Sequence, residues 1–252
     1  MTKSKFKRPE RVSVSGKGVL ISGGTTGIGR ATALLLASEG AKVMILGRSP
    51  DELNDALRDL QTVSQACFGF NADVTNPRDI AKTFAEADQK LGSVDILINN
   101  AAVGAGGINE GSYEDWDYIV RTNLLGYIAM AHDAAQRMKR AGGGHIVNIG
   151  SMSAEVRDAG SSLYVATKSA LQGWCESLRK ELNPDGVKVT LIEPGAVGSD
   201  MQESSPEEQR EKIRKLEMLT AEDIAECVLY CVTQPKRCDL VGVQIRPHLQ
   251  LI

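Results

Sequence analysis

The sequence predicts an α/β protein with a doubly wound, seven-stranded parallel sheet covered by helices on both faces. Three observations lead to this fold class. Short β-branched runs alternate with longer segments of helical period along the chain, which is the pattern of right-handed βαβ units. A glycine-rich turn joins the first strand to the first helix. The segment at 94–98 is almost entirely apolar, as expected of a strand buried on both faces.

The amino-terminal half contains four predicted strands and three predicted helices. Two of these helices begin with a capping side chain followed by proline, Ser49-Pro50 and Asn76-Pro77. Proline is favoured at the first helical position because no N–H partner is needed there. The predicted strands are 18–22, 42–46, 67–70 and 94–98, and the predicted helices are 29–38, one starting at 50 and one from 77 to about 90.

The carboxyl-terminal half contains the two longest predicted helices, which cover about 112–140 and 161–182. The polar, charged and glycine-marked segment at about 196–216 is typical of a mobile lid. Thr220-Ala-Glu-Asp223 has the form of a capping box and begins the last predicted helix. The remaining predicted strands are 145–149, 188–192 and 241–246.

Length, charge and hydropathy limit the classes of function. The chain has 252 residues, and because single α/β domains reach about 250 residues, 18–252 are expected to form one domain. Residues 1–17 are basic and are expected to be a flexible lead-in, without the apolar stretch of a secretory signal. The net charge of −3 argues against a nucleic-acid partner. The longest apolar run, 227–232, is far shorter than the ~20 residues that cross a bilayer, so no membrane association is expected.

The five cysteines follow no pairing pattern. Cys227 and Cys231 lie one helical turn apart with Cys238 close behind, which leaves a soft-metal site open. Free cysteine is nevertheless among the most buried residue types, so core packing is favoured and no metal is expected. Without a secretion signal, a reducing cytoplasm is the expected location.

The glycine-rich turn is a candidate phosphate cradle. It reads Ser22-Gly-Gly-Thr-Thr-Gly-Ile-Gly29 and lies between a predicted strand and a predicted helix. Glycines there allow the backbone to approach a pyrophosphate, and the helix amino terminus supplies unpaired N–H groups. Glycine also occurs in tight turns for steric reasons alone. The strand–turn–helix context therefore favours, but does not establish, a Rossmann-type dinucleotide site.

Arg48 indicates which dinucleotide is bound. The end of the second strand usually carries an acidic residue when the ligand is NAD, about 20 residues beyond the glycines. Here the segment reads Leu46-Gly47-Arg48-Ser49 and has no carboxylate. An arginine beside a hydroxyl can pair with the 2′-phosphate of NADP(H), and its position favours this role over that of an ordinary surface arginine. We expect NADP(H).

Three residues form the candidate catalytic group. Tyr164 and Lys168 are four apart on a predicted helix and therefore share one face. A nearby ammonium is expected to lower the tyrosine pKa, whose ordinary value of about 10 is too high for acid–base work near neutrality. Ser151 follows a predicted strand directly, at the sheet edge where open α/β folds bind ligands. A Tyr-x3-Lys pair alone is common. The evidence for a catalytic group is that this pair occurs together with a strand-end serine and an upstream glycine-rich turn.

Together these motifs resemble the short-chain dehydrogenase/reductase family in its compact single-domain form, over about 18–245. The resemblance also rests on Asp73-Val74, Asn99-Asn100-Ala101-Ala102 and the segment from Pro194 to Met201. It implies a catalytic tetrad of Asn123, Ser151, Tyr164 and Lys168, in which Asn123 holds a water linked to the lysine. The cofactor-binding residues that it implies are Gly23, Thr25, Thr26, Gly27, Ile28, Gly29, Arg48, Ser49, Asp73, Val74, Asn100, Ala101, Tyr164, Lys168, Pro194, Gly195, Val197 and Ser199.

The resemblance further implies an NADP(H)-dependent oxidoreductase that interconverts a small ketone or aldehyde and an alcohol. The tail is similar to members that oxidise 3-hydroxy acids or reduce assorted carbonyl compounds, and Arg157 is a candidate contact for a substrate carboxylate. A 3-oxoacyl thioester reductase is an alternative, and a non-catalytic NADP-binding sensor or scaffold is an alternative of another class. The apolar residues of the two long helices suggest a homo-oligomer, a dimer or a tetramer.

Two other enzyme classes conflict with the residues present. A serine hydrolase on an α/β sheet would need a Gly-x-Ser-x-Gly turn, which the sequence lacks. A zinc enzyme would need clustered ligands, whereas the three histidines, His132, His145 and His248, are widely separated.

Overall fold

The computed structural model of the protein describes residues 10–202 and 204–250. They form a seven-stranded sheet in the order β3-β2-β1-β4-β5-β6-β7, in which every neighbouring pair is parallel. The predicted doubly wound α/β fold is therefore confirmed. The strands are β1 Gly18–Ser22, β2 Lys42–Gly47, β3 Cys67–Asn71, β4 Ile96–Asn99, β5 Gly144–Ile149, β6 Val187–Pro194 and β7 Gly242–Ile245.

The helices begin where the capping residues predict. Ser49 and Asn76 accept hydrogen bonds from backbone N–H groups of the first turns that follow them. Thr220 and Asp223 form a complete capping box. The helices are α1 Gly27–Ser38, α2 Pro50–Val63, α3 Pro77–Lys90, α4 Tyr113–Val120, α5 Gly126–Ala141, α6 Ser153–Val156, α7 Ser162–Leu182, α8 Pro206–Arg214 and α9 Ala221–Val232.

Each face of the sheet carries its own apolar core. Successive residues of a strand point to opposite faces, so Val19 and Ile21 of β1 pack with α1, α2 and α9, whereas Leu20 packs with α3, α5 and α7. The central strands are fully buried, and this explains why their sequences are apolar without alternation. Two packed faces leave the carboxyl edge of the sheet as the place where loops from several strands meet.

The long helix predicted over 112–140 is interrupted. Helix α4 passes into a π-helical turn, Arg121–Leu125, before α5 continues to Ala141. Such turns insert an extra residue into a helix and occur frequently at functional sites. Here the turn carries Thr122 and Asn123, both of which are buried.

Three segments differ from the sequence expectation. The Val12 amide donates to Thr233 O at 2.8 Å and Val14 belongs to the core, so this part of the expected lead-in is packed; residues 1–9 lie outside the described residues. Strand β4 begins at Ile96 rather than 94, and the Asp95 carboxylate just before it accepts hydrogen bonds from Lys17 Nζ and the Gly18 amide. The expected lid at 196–216 contains a helix, α8.

Candidate active site

The glycine-rich turn is packed so closely that side chains would not fit. Gly23 has φ +62°, and a Cβ there would lie 2.8 Å from the Cα of Ala101. A Cβ on Gly29 would lie 2.0 Å from Gly23 O. Asn100 Nδ2 donates to the same oxygen at 2.8 Å, and Ser22 Oγ accepts from the amide of Asn100 at 3.1 Å. The ends of β1 and β4 are thus joined, and the backbone itself forms the cradle.

A cavity of about 460 Å³ opens above this cradle, between the ends of β1, β2 and β4. At its floor, Thr26 precedes α1 without capping it by a side-chain hydrogen bond, and the first turn of α1 has no acidic residue. The helix amino terminus is therefore available to an anion. The predicted cofactor-binding residues that line this cavity are Gly23, Thr25, Thr26, Gly27, Ile28, Arg48, Ser49, Val74, Asn100, Ala101 and Ser199.

Arg48 is held at the rim of this cavity by a residue that the sequence did not indicate. Its Nη1 donates to the hydroxyl oxygen of Tyr118, and its guanidinium stacks on the ring of Tyr118 with 5.3 Å between Cζ and the ring centroid. The Tyr118 hydroxyl donates in turn to Asp73 Oδ2 at 3.4 Å. Tyr118 thus orients Arg48 beside Ser49, whose own hydroxyl caps α2.

Asp73 does not line the cavity, unlike its neighbour Val74. Its Oδ1 accepts from the amide of Thr75 at 2.8 Å, and its Oδ2 accepts from Tyr118. The Asp73 carboxylate therefore secures the loop after β3. Gly29 likewise lies behind the cradle and acts through close packing.

Ser151, Tyr164 and Lys168 meet in an adjoining cavity of about 330 Å³. The two cavities share five lining residues, among them Ile28 and Asn100. Ser151 follows β5, and its hydroxyl lies 3.1 Å from both the amide nitrogen and the hydroxyl oxygen of Ser153. Three of the four predicted catalytic residues, Ser151, Tyr164 and Lys168, thus line one cavity beside the cradle.

Lys168 is enclosed behind Tyr164. Only 2% of its surface is exposed, and its Nζ donates to Ile149 O at 2.9 Å. The same nitrogen lies 5.7 Å from the centroid of the Tyr164 ring and 5.5 Å from that of Tyr127. Burial disfavours the charged ammonium and lowers its pKa to about 8. Lys168 can therefore exchange a proton near neutral pH.

The pKa of Tyr164 is shifted in the direction opposite to the expected one. Burial raises it above its ordinary value, and the hydrogen bond with Ser151 opposes this shift. The residue spacing indicated only that the Lys168 ammonium would be near, which would lower the tyrosine pKa. Burial of the phenol disfavours the phenolate and raises it. In this arrangement Tyr164 keeps its proton at neutral pH, as a general acid must.

Asn123 lies in the π-helical turn and fastens the loop after β4. Its Oδ1 accepts from the Val103 amide and its Nδ2 donates to Val103 O, both at 2.9 Å. Nδ2 also lies 3.4 Å from Thr167 Oγ1, one residue before Lys168. The Asn123 side-chain amide therefore has all of these partners within the protein.

The segment after β6 closes one wall of the catalytic cavity. Pro194, Gly195, Val197 and Ser199, four of the residues expected to bind the cofactor, all line it. Gln250 is a further lining residue that no motif indicated: its Oε1 accepts from the Ala196 amide at 2.9 Å. A Cβ on Gly195 would lie 2.2 Å from that oxygen, so the glycine admits the carboxyl-terminal tail to the site.

The fold and the site define a class of protein, an α/β oxidoreductase with a dinucleotide-type cradle beside a Ser, Tyr and Lys group. The particular family follows from comparison with known proteins. The family model described as short chain dehydrogenase matches residues 17–210. A protein of Staphylococcus haemolyticus described as an uncharacterized oxidoreductase is 35% identical over 235 residues, covering 93% of this chain and 98% of the relative. The chain belongs to the short-chain dehydrogenase/reductase family.

Solved structures of similar proteins show the same architecture. A 3-ketoacyl-(acyl-carrier-protein) reductase from Brucella melitensis, complexed with NADH, is 25% identical, has a TM-score of 0.85 and covers 95% of this chain and 100% of its own. A short chain dehydrogenase from Burkholderia cenocepacia in complex with NADP is 28% identical, with a TM-score of 0.83, and covers 93% and 98%.

The described part of the chain lacks two features. Within residues 10–202 and 204–250, no helix combines the length and the apolar composition needed to cross a membrane. Over the same described ranges, no three or more His, Cys, Asp or Glu side chains are grouped as metal ligands would be.

Proposed function

We propose that the protein is an NADP(H)-dependent oxidoreductase that interconverts a small ketone or aldehyde and an alcohol. One observation carries the proposal: Ser151, Tyr164 and Lys168 line a cavity that adjoins the glycine cradle. A site that only bound a dinucleotide would not need a buried acid and a buried lysine beside that cradle.

The cradle fits a nicotinamide dinucleotide on two counts. The positions of Gly23 and Gly29 exclude a Cβ, which brings the backbone up to the ligand as a pyrophosphate requires. The open amino terminus of α1 lies at the floor of the cavity, where negative charge is stabilised. Tyr164, Lys168 and the segment from Pro194 to Ser199 complete the proposed set of cofactor contacts.

Arg48 supports NADP(H) over NAD(H). It lines the cavity where β2 ends, and neither Arg48 nor Ser49, the two residues directly after β2, carries a carboxylate. The Glu52 side chain, one turn into α2, also lines this cavity. Tyr118 holds the guanidinium in place, so less side-chain freedom is lost when a phosphate binds.

Each side chain of the group has a defined role in the proposed mechanism. When bound, the reduced cofactor supplies the hydride to the carbonyl carbon. The Ser151 hydroxyl orients the carbonyl oxygen, and Tyr164 donates its phenolic proton to that oxygen. Lys168, with a pKa of about 8, returns a proton to Tyr164 and contacts the cofactor ribose. Asn123 positions this group by holding the Val103 loop against the turn before Lys168.

A 3-oxoacyl thioester is the second candidate substrate. The observation in its favour is the likeness to the Brucella melitensis reductase, which is named for that activity and matches 95% of this chain. The same residues would act in the same order on such a carbonyl, so the two candidates differ only in what occupies the outer part of the cavity.

A spectrophotometric screen tests the proposal. Purified protein is mixed with NADPH or NADH and a panel of ketones, aldehydes, 3-oxo acids and oxoacyl thioesters, and loss of the reduced-nicotinamide absorbance is followed. We expect turnover of at least one ketone or aldehyde with NADPH well above NADH. Equal use of NADH would remove the Arg48 assignment alone. Tight NADPH binding without turnover of any compound would favour the sensor or scaffold alternative.

We further propose that the protein forms homo-oligomers in a reducing cytoplasm. The face of α4 and α5 leaves Val120, Leu125 and Ile128 between 36% and 49% exposed, and association would cover them. All five cysteines are free thiols, which suits a reducing compartment.

A further inference from the structure

The catalytic cavity has an uneven distribution of charge. Among its described lining residues only Lys168 and Asp158 are charged. Lys168 is buried and donates to Ile149 O, behind Tyr164, so its ammonium faces the reacting end of the cavity. The remaining polar side chains that line the cavity are neutral: Asn100, Ser151, Ser153, Tyr164, Ser199, Gln202 and Gln250. The outer part of the cavity therefore contains one unopposed negative charge.

The Asp158 carboxylate is not used by the fold. It is exposed, and the described part of the chain offers it neither a hydrogen bond nor an ion pair. Its main chain, by contrast, is secured, since the Asp158 carbonyl accepts from Ser161 Oγ at 3.2 Å. A fixed backbone with a free carboxylate at a cavity wall is the arrangement of a ligand-contacting residue rather than of a structural ion pair.

Backbone strain next to Asp158 sets its direction. Arg157 has φ +59° and ψ +46°, a left-handed conformation that is unfavourable for a residue with a side chain. Its Nε donates back to Ala154 O at 3.0 Å, and Arg157 does not line the cavity. The Ala154 amide donates to Ser151 O at 3.1 Å, which ties this short turn to the catalytic serine. The turn thus presents Asp158, not Arg157, beside the substrate.

We propose that Asp158 is a specificity-determining residue that selects carbonyl substrates with a cationic group, such as amino ketones, over carboxylates. This inference rests on the proposed function and names its substrate class. A carboxylate at the outer wall attracts an ammonium and repels an anion, and in a partly solvated cavity one such charge changes relative efficiency by about tenfold. Arg157, the expected contact for a substrate carboxylate, does not line the cavity and is not assigned that role.

A matched series of methyl ketones, CH3CO(CH2)nX, tests the proposal. X is trimethylammonium, hydroxyl or carboxylate at equal chain length, and kcat/KM with NADPH is measured for each. For the native protein we expect the trimethylammonium ketone to exceed the carboxylate ketone about tenfold, by a ratio that shrinks as salt screens the charge. Asp158→Asn is expected to bring the ratio near one, and Asp158→Lys to reverse it, while the hydroxyl ketone changes less than about twofold.

Glu155→Gln is the matched control, because it removes the same charge from the same turn at a residue outside the cavity and keeps an acceptor for Gln172. We expect it to leave the ratio unchanged. If every ketone is reduced with equal efficiency, or if Asp158→Lys leaves the ratio unaltered, this inference is overturned and the proposed function stands. If no ketone of any charge is reduced, the proposed function fails and the inference with it.

Discussion

Strands β5 and β6 bury polar groups at both of their ends, but in opposite ways. At the amino ends, His145 Nε2 lies 2.8 Å from Thr190 Oγ1, and that hydroxyl donates to Leu240 O at 2.6 Å. Lys188 pairs with His145 across the strands, and its Nζ donates to Pro235 O at 2.9 Å and lies 3.3 Å from Asp239. Each of these groups has a partner within the protein.

At the carboxyl ends, the buried groups face cavities. Lys168 is enclosed with a single hydrogen bond, to Ile149 O. Tyr164 and Ser151 face space that a ligand can enter. Burial lowers the pKa of Lys168 and raises that of Tyr164, so both charged forms are disfavoured by their surroundings. The same sheet therefore uses burial to stabilise structure at one edge and to adjust proton affinity at the other.

Among the variants of the cavity residues considered next, replacement of Lys168 is expected to change catalysis the most. We expect Lys168→Met to lower kcat/KM by about 100-fold or more, because the proton return and the ribose contact are lost. The variant should nevertheless be more stable at pH 7, by about 2 kcal/mol, since it lacks a buried charge. Urea unfolding and steady-state kinetics measure the two effects.

The extra stability of Lys168→Met over the native protein depends on pH. Lys168 has a pKa of about 8 when folded against an ordinary 10.5, so the native protein gains stability as pH rises through this interval. The advantage of Lys168→Met should therefore vanish by about pH 10.5. An advantage that stays constant with pH would contradict the assigned cause.

Removing the arginine at the rim of the cradle tests the cofactor preference. Arg48→Gln is expected to raise the KM for NADPH about 30-fold, because a charge-assisted contact to phosphate is lost. The KM for NADH should change less than about twofold. Arg78→Gln, which removes an exposed arginine outside both cavities, is the control. A parallel rise for both cofactors would show that Arg48 acts on folding or on a shared contact.

Unfolding in acid tests the role of His145 at the amino ends of β5 and β6. Burial, with a smaller effect of Lys188, lowers the pKa of His145 to about 4 from an ordinary 6.5. Its stabilising contribution is present above pH 6.5 and is lost as pH falls toward 4. Between pH 7 and 4.5 the native protein should lose about 2–3 kcal/mol more than His145→Gln does.

Activity measurements distinguish the stability effect of His145 from the chemistry of the catalytic cavity. His145→Gln should retain turnover at pH 7, because the site lies at the opposite ends of the strands. His132→Gln, at an exposed position of α5, serves as the control and should unfold with acid as the native protein does. If the two variants lose stability equally, His145 is not the group responsible.

The smallest expected effect belongs to Tyr118. Tyr118→Phe keeps the ring on which Arg48 stacks and removes only the hydroxyl between Arg48 and Asp73. We expect the KM for NADPH to rise about three- to fivefold, the value of one hydrogen bond. Tyr113→Phe, which is 75% exposed on the same helix, should leave it unaltered. An equal change in both variants would remove Tyr118 from the proposed site.

The elements that local pattern dictates were predictable from the sequence. Alternation, caps and glycines located all seven strands, and the tyrosine, lysine and strand-end serine indicated one cavity. The contact of Tyr118 with Arg48 was not predictable, because it joins residues 70 apart in sequence and no motif marks it. The direction of the Tyr164 pKa shift depends on enclosure, which residue spacing does not report. The π-helical turn at Asn123 has no sequence rule that would indicate it.

Single-turnover reduction tests directly whether Tyr164 is the catalytic acid. Native protein and Tyr164→Phe are each loaded with NADPH, mixed with a ketone identified by the screen, and followed by absorbance, with NADPH affinity measured separately. We expect the NADPH affinity of Tyr164→Phe to stay within about threefold of the native value and its rate to fall at least about 1,000-fold, because the proton donor is missing. Tyr230→Phe, outside both cavities, should react like the native protein. An unchanged rate in Tyr164→Phe would contradict the assignment of the catalytic acid.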